Sequence, residues 1–211
     1  MPTTILVPRG AEAAAVRRAA TAARIVELPA GAASADALPE FAPDESVVVL
    51  GLCGALWRMR AGDVCVYGRV VDATNGFDLD PELVDALSRA LPRAIVANAC
   101  TTRRVVTSVT ARTVLAQRFN ADVVDMEGTA LAAALAARGV PIGMVRVVSD
   151  DPARDLPPIE DAIDDAGRIR PLALALAFAR APRAAVGFVR DVRASLAVLT
   201  EVAGALSRFP A

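Results

Sequence analysis

The chain has 211 residues, 55% of them hydrophobic, and its 23 basic and 24 acidic side chains leave a formal net charge of -1. That length supports one α/β domain with a sizeable core, the apolar share excludes intrinsic disorder, and the missing basic excess removes the usual mark of general nucleic-acid binding. Histidine is absent, so Ser-His-Asp and Cys-His catalysis and histidine metal sites are excluded, and acid–base work falls first to carboxylates.

In chain order, Thr3–Val7 predicts a strand and Glu12–Arg24 a helix. The Pro/Gly/Ala-rich piece Pro29–Pro43 reads as a loop. Ser46–Leu50 predicts a buried strand that ends in a glycine loop, Gly51-Leu52-Cys53-Gly54. Asp63–Val71 predicts another strand. Pro81–Ala90 predicts a helix, because Leu83, Leu87 and Leu91 recur at helical spacing on one face. A short strand at Ala94–Ala97, a helix at Val109–Gln117 and a strand at Ala121–Val124 follow. Met126–Arg138 predicts a helix stopped by Gly139 and Pro141. Ile142–Val148 is a strand, apolar except for Arg146. Asp150–Asp165, rich in Asp and Pro, reads as a loop placed to act as a lid. Ile169–Leu206 reads as two helices broken at Pro182.

Near-continuous apolar strands alternating with helices predict a central sheet covered on both faces, in a single domain over 1–211. The odd set Cys53, Cys65 and Cys100, with no CxxC pair, argues against a disulfide framework or a cysteine zinc site. Neither a signal peptide nor a spanning helix is expected, which makes the cytoplasm the expected compartment.

In open α/β sheets ligands bind beyond the carboxyl ends of the strands. Glu12, the Gly51–Gly54 loop, Asp125, Glu127 and Asp150 all follow strands and are expected to converge there. Taken singly, each has a plain structural reading: Glu12 as a first-turn acid, Asp125 and Glu127 as a helix cap and its neighbour, Asp150 as a turn former. Arg146 inside an apolar strand needs a carboxylate partner, Glu127 or Asp125, unless it lies at an edge and reaches water.

Taken together, these residues carry a resemblance. Val123-Val124-Asp125-Met126-Glu127-Gly128-Thr129-Ala130, followed by Val145-Arg146-Val147-Val148-Ser149-Asp150, resembles the signature of the nucleoside phosphorylase/nucleosidase superfamily. Gly51-Leu52-Cys53-Gly54-Ala55-Leu56, followed by Gly62-Asp63-Val64, resembles its glycine-rich loop and next strand. The resemblance implies a three-layer αβα sandwich around a mostly parallel mixed sheet. It also implies cleavage of the bond between a ribose and a purine-type base. In that scheme Glu127 grips the ribose hydroxyls, Met126 packs against the sugar, and Asp150 protonates the leaving base with Ser149 orienting it. Cys53 and Gly54 line the substrate, and Val105 matches a position that contacts the base. No cofactor or metal is implied, and a homo-oligomer, dimer or hexamer, is expected.

The second reactant separates hydrolase from phosphorylase. Hexameric phosphorylases of this group present Arg-x-Gly-Ser-Cys-Gly, whose Arg and Ser bind phosphate. Here the stretch reads Val49-Leu50-Gly51-Leu52-Cys53-Gly54, and apolar groups cannot hold a dianion. Hydrolases of the group place a glutamate after the first strand, which matches Glu12 as the base that activates water. Hydrolysis is the favoured reading and phosphorolysis the alternative, with Arg9, Arg103 and Arg104 available for an anion. Another class of reading is a non-catalytic nucleoside-binding or membrane-peripheral protein on the same fold. Arg183, Arg190 and Arg193 share a helical face that suits anionic lipid, although a solvated face is preferred and no membrane partner is expected. Trp57 and Phe77 suit stacking on a base, core or interface alike.

Overall fold

The computed structural model describes residues 3–42, 45–164 and 168–209. Met1, Pro43 and Asp165, at the ends of segments named above, lie outside them.

The described residues form one mixed sheet. Its strands are β1 (Thr3–Pro8), β2 (Arg24–Leu28), β3 (Ser46–Ala55), β4 (Val64–Val71), β5 (Gly76–Asp78), β6 (Ile95–Thr101), β7 (Val123–Asp125) and β8 (Ile142–Val148). β1 runs parallel to both β2 and β3; β3 and β8, β4 and β6, and β6 and β7 are parallel pairs. The pairs β3–β7, β4–β5 and β4–β8 are antiparallel. These pairings close a ring, β3–β8–β4–β6–β7 and back to β3, so the sheet curls on itself while β1 and β2 extend from one side.

The helices are α1 (Ala11–Arg17), α2 (Pro81–Ala90), α3 (Val109–Phe119), α4 (Gly128–Ala136), α5 (Pro171–Arg180) and α6 (Pro182–Leu206), with a 3-10 turn at Ala32–Ala37. On one side of the sheet Leu131, Ala132 and Leu135 of α4 pack against Val47, Val49, Met144 and Val148. On the other, Val16 of α1, Leu87 of α2 and Leu199 and Val202 of α6 pack against Ile5, Val48, Val145 and Val147. The inward alternation of β3 and β8 feeds both layers, which is why their sequences read as unbroken apolar runs.

The predicted α2 and β8 have the observed boundaries, and Pro182 does separate the last two helices, at the first turn of α6. Other boundaries differ. The first helix ends at Arg17, and Arg24–Leu28 forms a strand where a helix end was expected. Tertiary pairing overrides the alanine-rich pattern: Arg17 binds Glu27 at 2.7 Å and Arg24 binds Glu45 at 3.0 Å, fastening β2 along β1. The Gly51–Gly54 stretch is not a loop but the continuation of β3, paired with β8 and β7. The helix expected from Met126 begins at Gly128, with Glu127 in the capping position.

Candidate active site

Glu12, Asp125 and Glu127 gather around Arg146, and Asp150 is held farther along β3 by the Ala55 N–H; closure of the ring, rather than one flat sheet edge, sets these positions. β3 is the shared support. Gly51 pairs with Arg146 of β8, and Gly54 and Ala55 pair with Val124 and Val123 of β7. Gly51 has to be glycine for reasons of space. A Cβ there would lie 2.5 Å from Arg146 Nη1, 2.7 Å from Glu12 Oε1 and 3.2 Å from Pro8.

Arg146 is fully buried in the strand interior. Its Nη2 lies 3.0 Å from Glu127 Oε1 and 3.6 Å from Asp125 Oδ2, so both proposed partners face it. Burial works against the guanidinium charge, but Glu127 and Asp125 outweigh it and keep the group protonated. Asp125 is fixed from its other oxygen, which accepts from Thr101 Oγ1 at 2.7 Å and from the Gly128 N–H at 3.1 Å. Burial raises the pKa of Glu127, while Arg146 and the Gly31 N–H oppose the rise. Nε and Nη1 of Arg146, Oδ2 of Asp125 and the Tyr67 hydroxyl are buried without a hydrogen-bond partner.

Glu12, in the first turn of α1, reaches the same cluster. Its Oε1 accepts from the Leu52 N–H at 2.6 Å. Its pKa is raised to about 7, first by burial of the carboxyl and then by the Glu127 charge, against the pull of the Leu52 N–H and Arg146. A carboxyl poised there can take a proton at neutral pH.

Asp150 sits at the end of the next element. Its Oδ1 accepts from the Ala55 N–H at 2.7 Å, and its Oδ2 accepts from Nη2 of Arg112 at 2.7 Å. Burial raises its pKa, while Arg112 and the Ala55 N–H oppose the rise. Leu52 and Ala55, which hold Glu12 and Asp150, are three residues apart on β3, roughly 10 Å along the strand. Arg112 of α3 is fully buried. It also donates to the carbonyls of Val106 at 3.1 Å and Asp151 at 3.0 Å, joining the loop before α3 to the segment after β8. Sequence reasoning missed this residue: a single arginine inside a polar helix, 38 positions from its partner, carries no local signal.

The remaining candidates divide. Met126 and Gly54 are half-buried beside these groups, and a Cβ on Gly54 would lie 3.6 Å from Asp150 Oδ2. Ser149 donates its hydroxyl to the Cys53 carbonyl at 3.0 Å, so it fastens the chain ahead of Asp150 rather than binding that carboxyl. The Cys53 thiol points into the core, and burial beside Cys65 pushes its pKa far up, which leaves it inert as a nucleophile. Val105 is half-buried against Ile159, Ala162 and Ala177. Trp57 is exposed, with Arg58 4.3 Å above its ring, and Phe77 packs on the core. Arg9, Arg103 and Arg104 are exposed.

Beside Glu127 a cavity of about 10 Å³ is lined by Pro8, Leu28, Pro29, Ser34 and Leu131. That is the room of about one water molecule. Three carboxyl groups with raised pKa values, Glu12, Glu127 and Asp150, the second of them on a buried arginine, form a set suited to general acid–base chemistry.

Comparison with known proteins gives the family and the fold. A family profile described as the phosphorylase superfamily matches residues 14–179. A comparison with curated protein sequences gives no match. Three solved structures share the fold. The 5'-methylthioadenosine/S-adenosylhomocysteine nucleosidase of S. pneumoniae, with the transition-state inhibitor MT-ImmA, is 17% identical, covers 98% of this chain and 100% of its own, and has a TM-score of 0.66. The corresponding nucleosidase of Campylobacter jejuni is 14% identical over 97% of this chain and 99% of its own, with a TM-score of 0.65. The futalosine hydrolase of Helicobacter pylori is 12% identical over 96% and 97%, also with a TM-score of 0.65. On the profile match across most of its length, the chain belongs to the phosphorylase superfamily.

Proposed function

We propose that the protein is a nucleosidase that hydrolyses the N-glycosidic bond of a purine-type nucleoside. The observation that carries this reading is that β3 holds Glu12 on the Leu52 N–H and Asp150 on the Ala55 N–H, with Glu127 on the buried Arg146 beside Gly51 at the Glu12 end. The solved structures with this fold include nucleosidases and a futalosine hydrolase, which supports the same reaction class.

Breaking the bond builds positive charge on the ribose and negative charge on the base. Glu127 accepts hydrogen bonds from the ribose hydroxyls, and its negative charge stabilises the sugar cation. Met126 gives the sugar ring an adaptable apolar surface. Asp150 enters protonated and passes its proton to a ring nitrogen of the leaving base. The donors on it, Arg112 and the Ala55 N–H, then stabilise the carboxylate that remains, which strengthens the acid at the moment of transfer. Glu12 takes a proton from water as the water oxygen bonds to the anomeric carbon. The products are a free sugar and a free base. The small room beside Glu127 means that the segment Pro29–Ser34 moves aside when the sugar enters.

Water is the proposed second reactant because the strand offers Val49 and Leu52 where a phosphate site needs donors, and Arg9, Arg103 and Arg104 lie at the surface. The test is to incubate pure protein with methylthioadenosine, adenosine, inosine and futalosine, with and without inorganic phosphate. Base release that does not depend on phosphate supports hydrolysis. Sugar 1-phosphate formed only when phosphate is present overturns it, and no base release from any nucleoside favours a non-catalytic binding role.

A further inference from the structure

Helices α5 and α6 carry an apolar surface that the rest of the fold leaves open. Leu172, Ala175, Leu176 and Ala179 of α5 recur three and four apart and are all exposed, Leu172 at 83% and Leu176 at 56%. The other side of α5, with Ala173, Leu174, Ala177 and Phe178, packs inward against Ile159 and Ala162. So α5 is apolar all round although only one side is covered, which a helix solvated on its outer face does not need. Val186, 73% exposed in the first turns of α6, adds to this surface. Between the two helices lies an open groove of about 480 Å³, lined by Phe178, Ala185, Val186, Val189, Arg190 and Arg193.

The charge around this surface differs from the rest of the molecule. The chain as a whole is nearly neutral. From 170 to 193 it carries Arg170, Arg180, Arg183, Arg190 and Arg193 against a single acid, Asp191; Arg168, just before them, is paired with Asp164 at 3.0 Å. Asp191 is buried and already held by Arg154 and Arg190, at 2.7 Å and 2.9 Å. Among the described residues no carboxylate pairs with Arg180, Arg183 or Arg193. Every basic side chain of the protein is arginine, whose planar fork matches phosphate oxygens. Two copies of this face would set positive charge against positive charge, which disfavours self-association. Exposed leucines on α5, followed along the chain by the exposed arginines of α5 and α6, have the composition of helices that lie in a phospholipid interface. No helix among the described residues is long and apolar enough to cross a membrane, so the contact is peripheral.

We propose that the α5–α6 face docks the protein onto the surface of an anionic phospholipid membrane. Leu172, Leu176 and Val186 enter the boundary between headgroups and acyl chains, and Arg180, Arg183 and Arg193 contact lipid phosphates. This does not depend on the reaction assigned above, and it replaces the solvated face expected from the sequence.

The test is co-sedimentation of the full chain with vesicles of phosphatidylcholine alone and with vesicles that also contain phosphatidylglycerol. Binding is expected to the second only and to weaken as salt rises. Leu172→Ser with Leu176→Ser, and separately Arg183→Gln with Arg193→Gln, each reduce partitioning by at least about tenfold. As a check independent of these variants, Leu172→Trp in a Trp57→Phe background shifts its emission to the blue when phosphatidylglycerol vesicles are added. The proposal fails if the protein sediments equally with both vesicle types or with neither, or if the tryptophan emission stays unchanged. It also fails if the unaltered protein is a dimer that the two serine substitutions split while vesicles remain unbound.

Discussion

Arg112 and Asp150 meet as a buried ion pair, with Nη2 2.7 Å from Oδ2, and the pair joins α3 to the segment that follows β8. Its consequence for the chemistry is opposite in sign to that of burial. Burial favours the protonated acid, and Arg112 favours the carboxylate. The acidity of Asp150 therefore depends on a residue that takes no part in holding the sugar.

Replacing Arg112 with Gln removes the opposing charge, so the pKa of Asp150 rises further. Asp150 then keeps its proton to higher pH, and the alkaline limb of the kcat profile moves to higher pH. Arg112→Lys retains the charge and shifts the limb less. Removing one partner of a buried pair also destabilises the fold, by about 3–5 kcal/mol at pH values where Asp150 is ionised. The checks are pH–rate profiles of both variants and thermal melts across the pH range, with the destabilisation expected to grow as Asp150 ionises.

Asp150→Asn keeps the shape and removes the transferable proton. If Asp150 is the general acid and Glu127 holds the sugar, as proposed, kcat falls by about 10²–10⁴-fold while KM changes little. Steady-state kinetics on whichever nucleoside the panel identifies will show whether the loss falls on kcat or on KM.

Glu12 must be ionised to take a proton from water, and its pKa is raised to about 7. Activity should fall about tenfold per pH unit below that value, and Glu12→Gln should remove this acid limb together with turnover. The same shift affects stability. In the unfolded chain Glu12 loses its proton near the ordinary glutamate value of 4.5; in the folded chain it keeps it to about 7. Between these values the folded state holds a proton that the unfolded state has released, so stability falls as pH rises. Glu12→Gln should therefore melt at a higher temperature than the unaltered protein at pH values above about 7, and the gain should vanish in acid.

Gly51→Ala tests the close approach at the centre of the site. The added Cβ would press on Arg146 Nη1 and Glu12 Oε1, at 2.5 Å and 2.7 Å. Overpacking of this kind costs about 1–3 kcal/mol. Because the displaced atoms belong to the site, kcat should fall as well. A melt combined with a rate measurement separates this from Gly62→Ala, where no atom lies within 4 Å of the added Cβ and only backbone strain is introduced.

Much of this was legible in the sequence, and the limits have physical causes. β8 and α2 could be bounded because their patterns are local: a run apolar except for Arg146, and leucines at helical spacing on one face. β2 could not, because Arg24–Leu28 is a strand only by virtue of lying along β1 and being tied to Glu45, contacts that a window of sequence does not contain. Gly51–Gly54 looked like a loop because glycine usually marks a turn, whereas here it clears space inside a strand for Arg146 and Glu12. The partners of Arg146 followed from the rule that a buried charge needs an opposite one. Arg112 obeys the same rule but lies in a helix whose pattern looks solvated, and only the folded chain shows it turned inward.

The most direct measurement is to run the reaction in water enriched in ¹⁸O, reduce the sugar with borohydride as it forms, before its anomeric oxygen exchanges with solvent, and weigh the product. The account requires one ¹⁸O atom in the free sugar, at the anomeric carbon, formed equally well with and without phosphate and abolished by Glu12→Gln. Unlabelled sugar 1-phosphate as the first product, or labelling unaffected by loss of the Glu12 carboxylate, would contradict it.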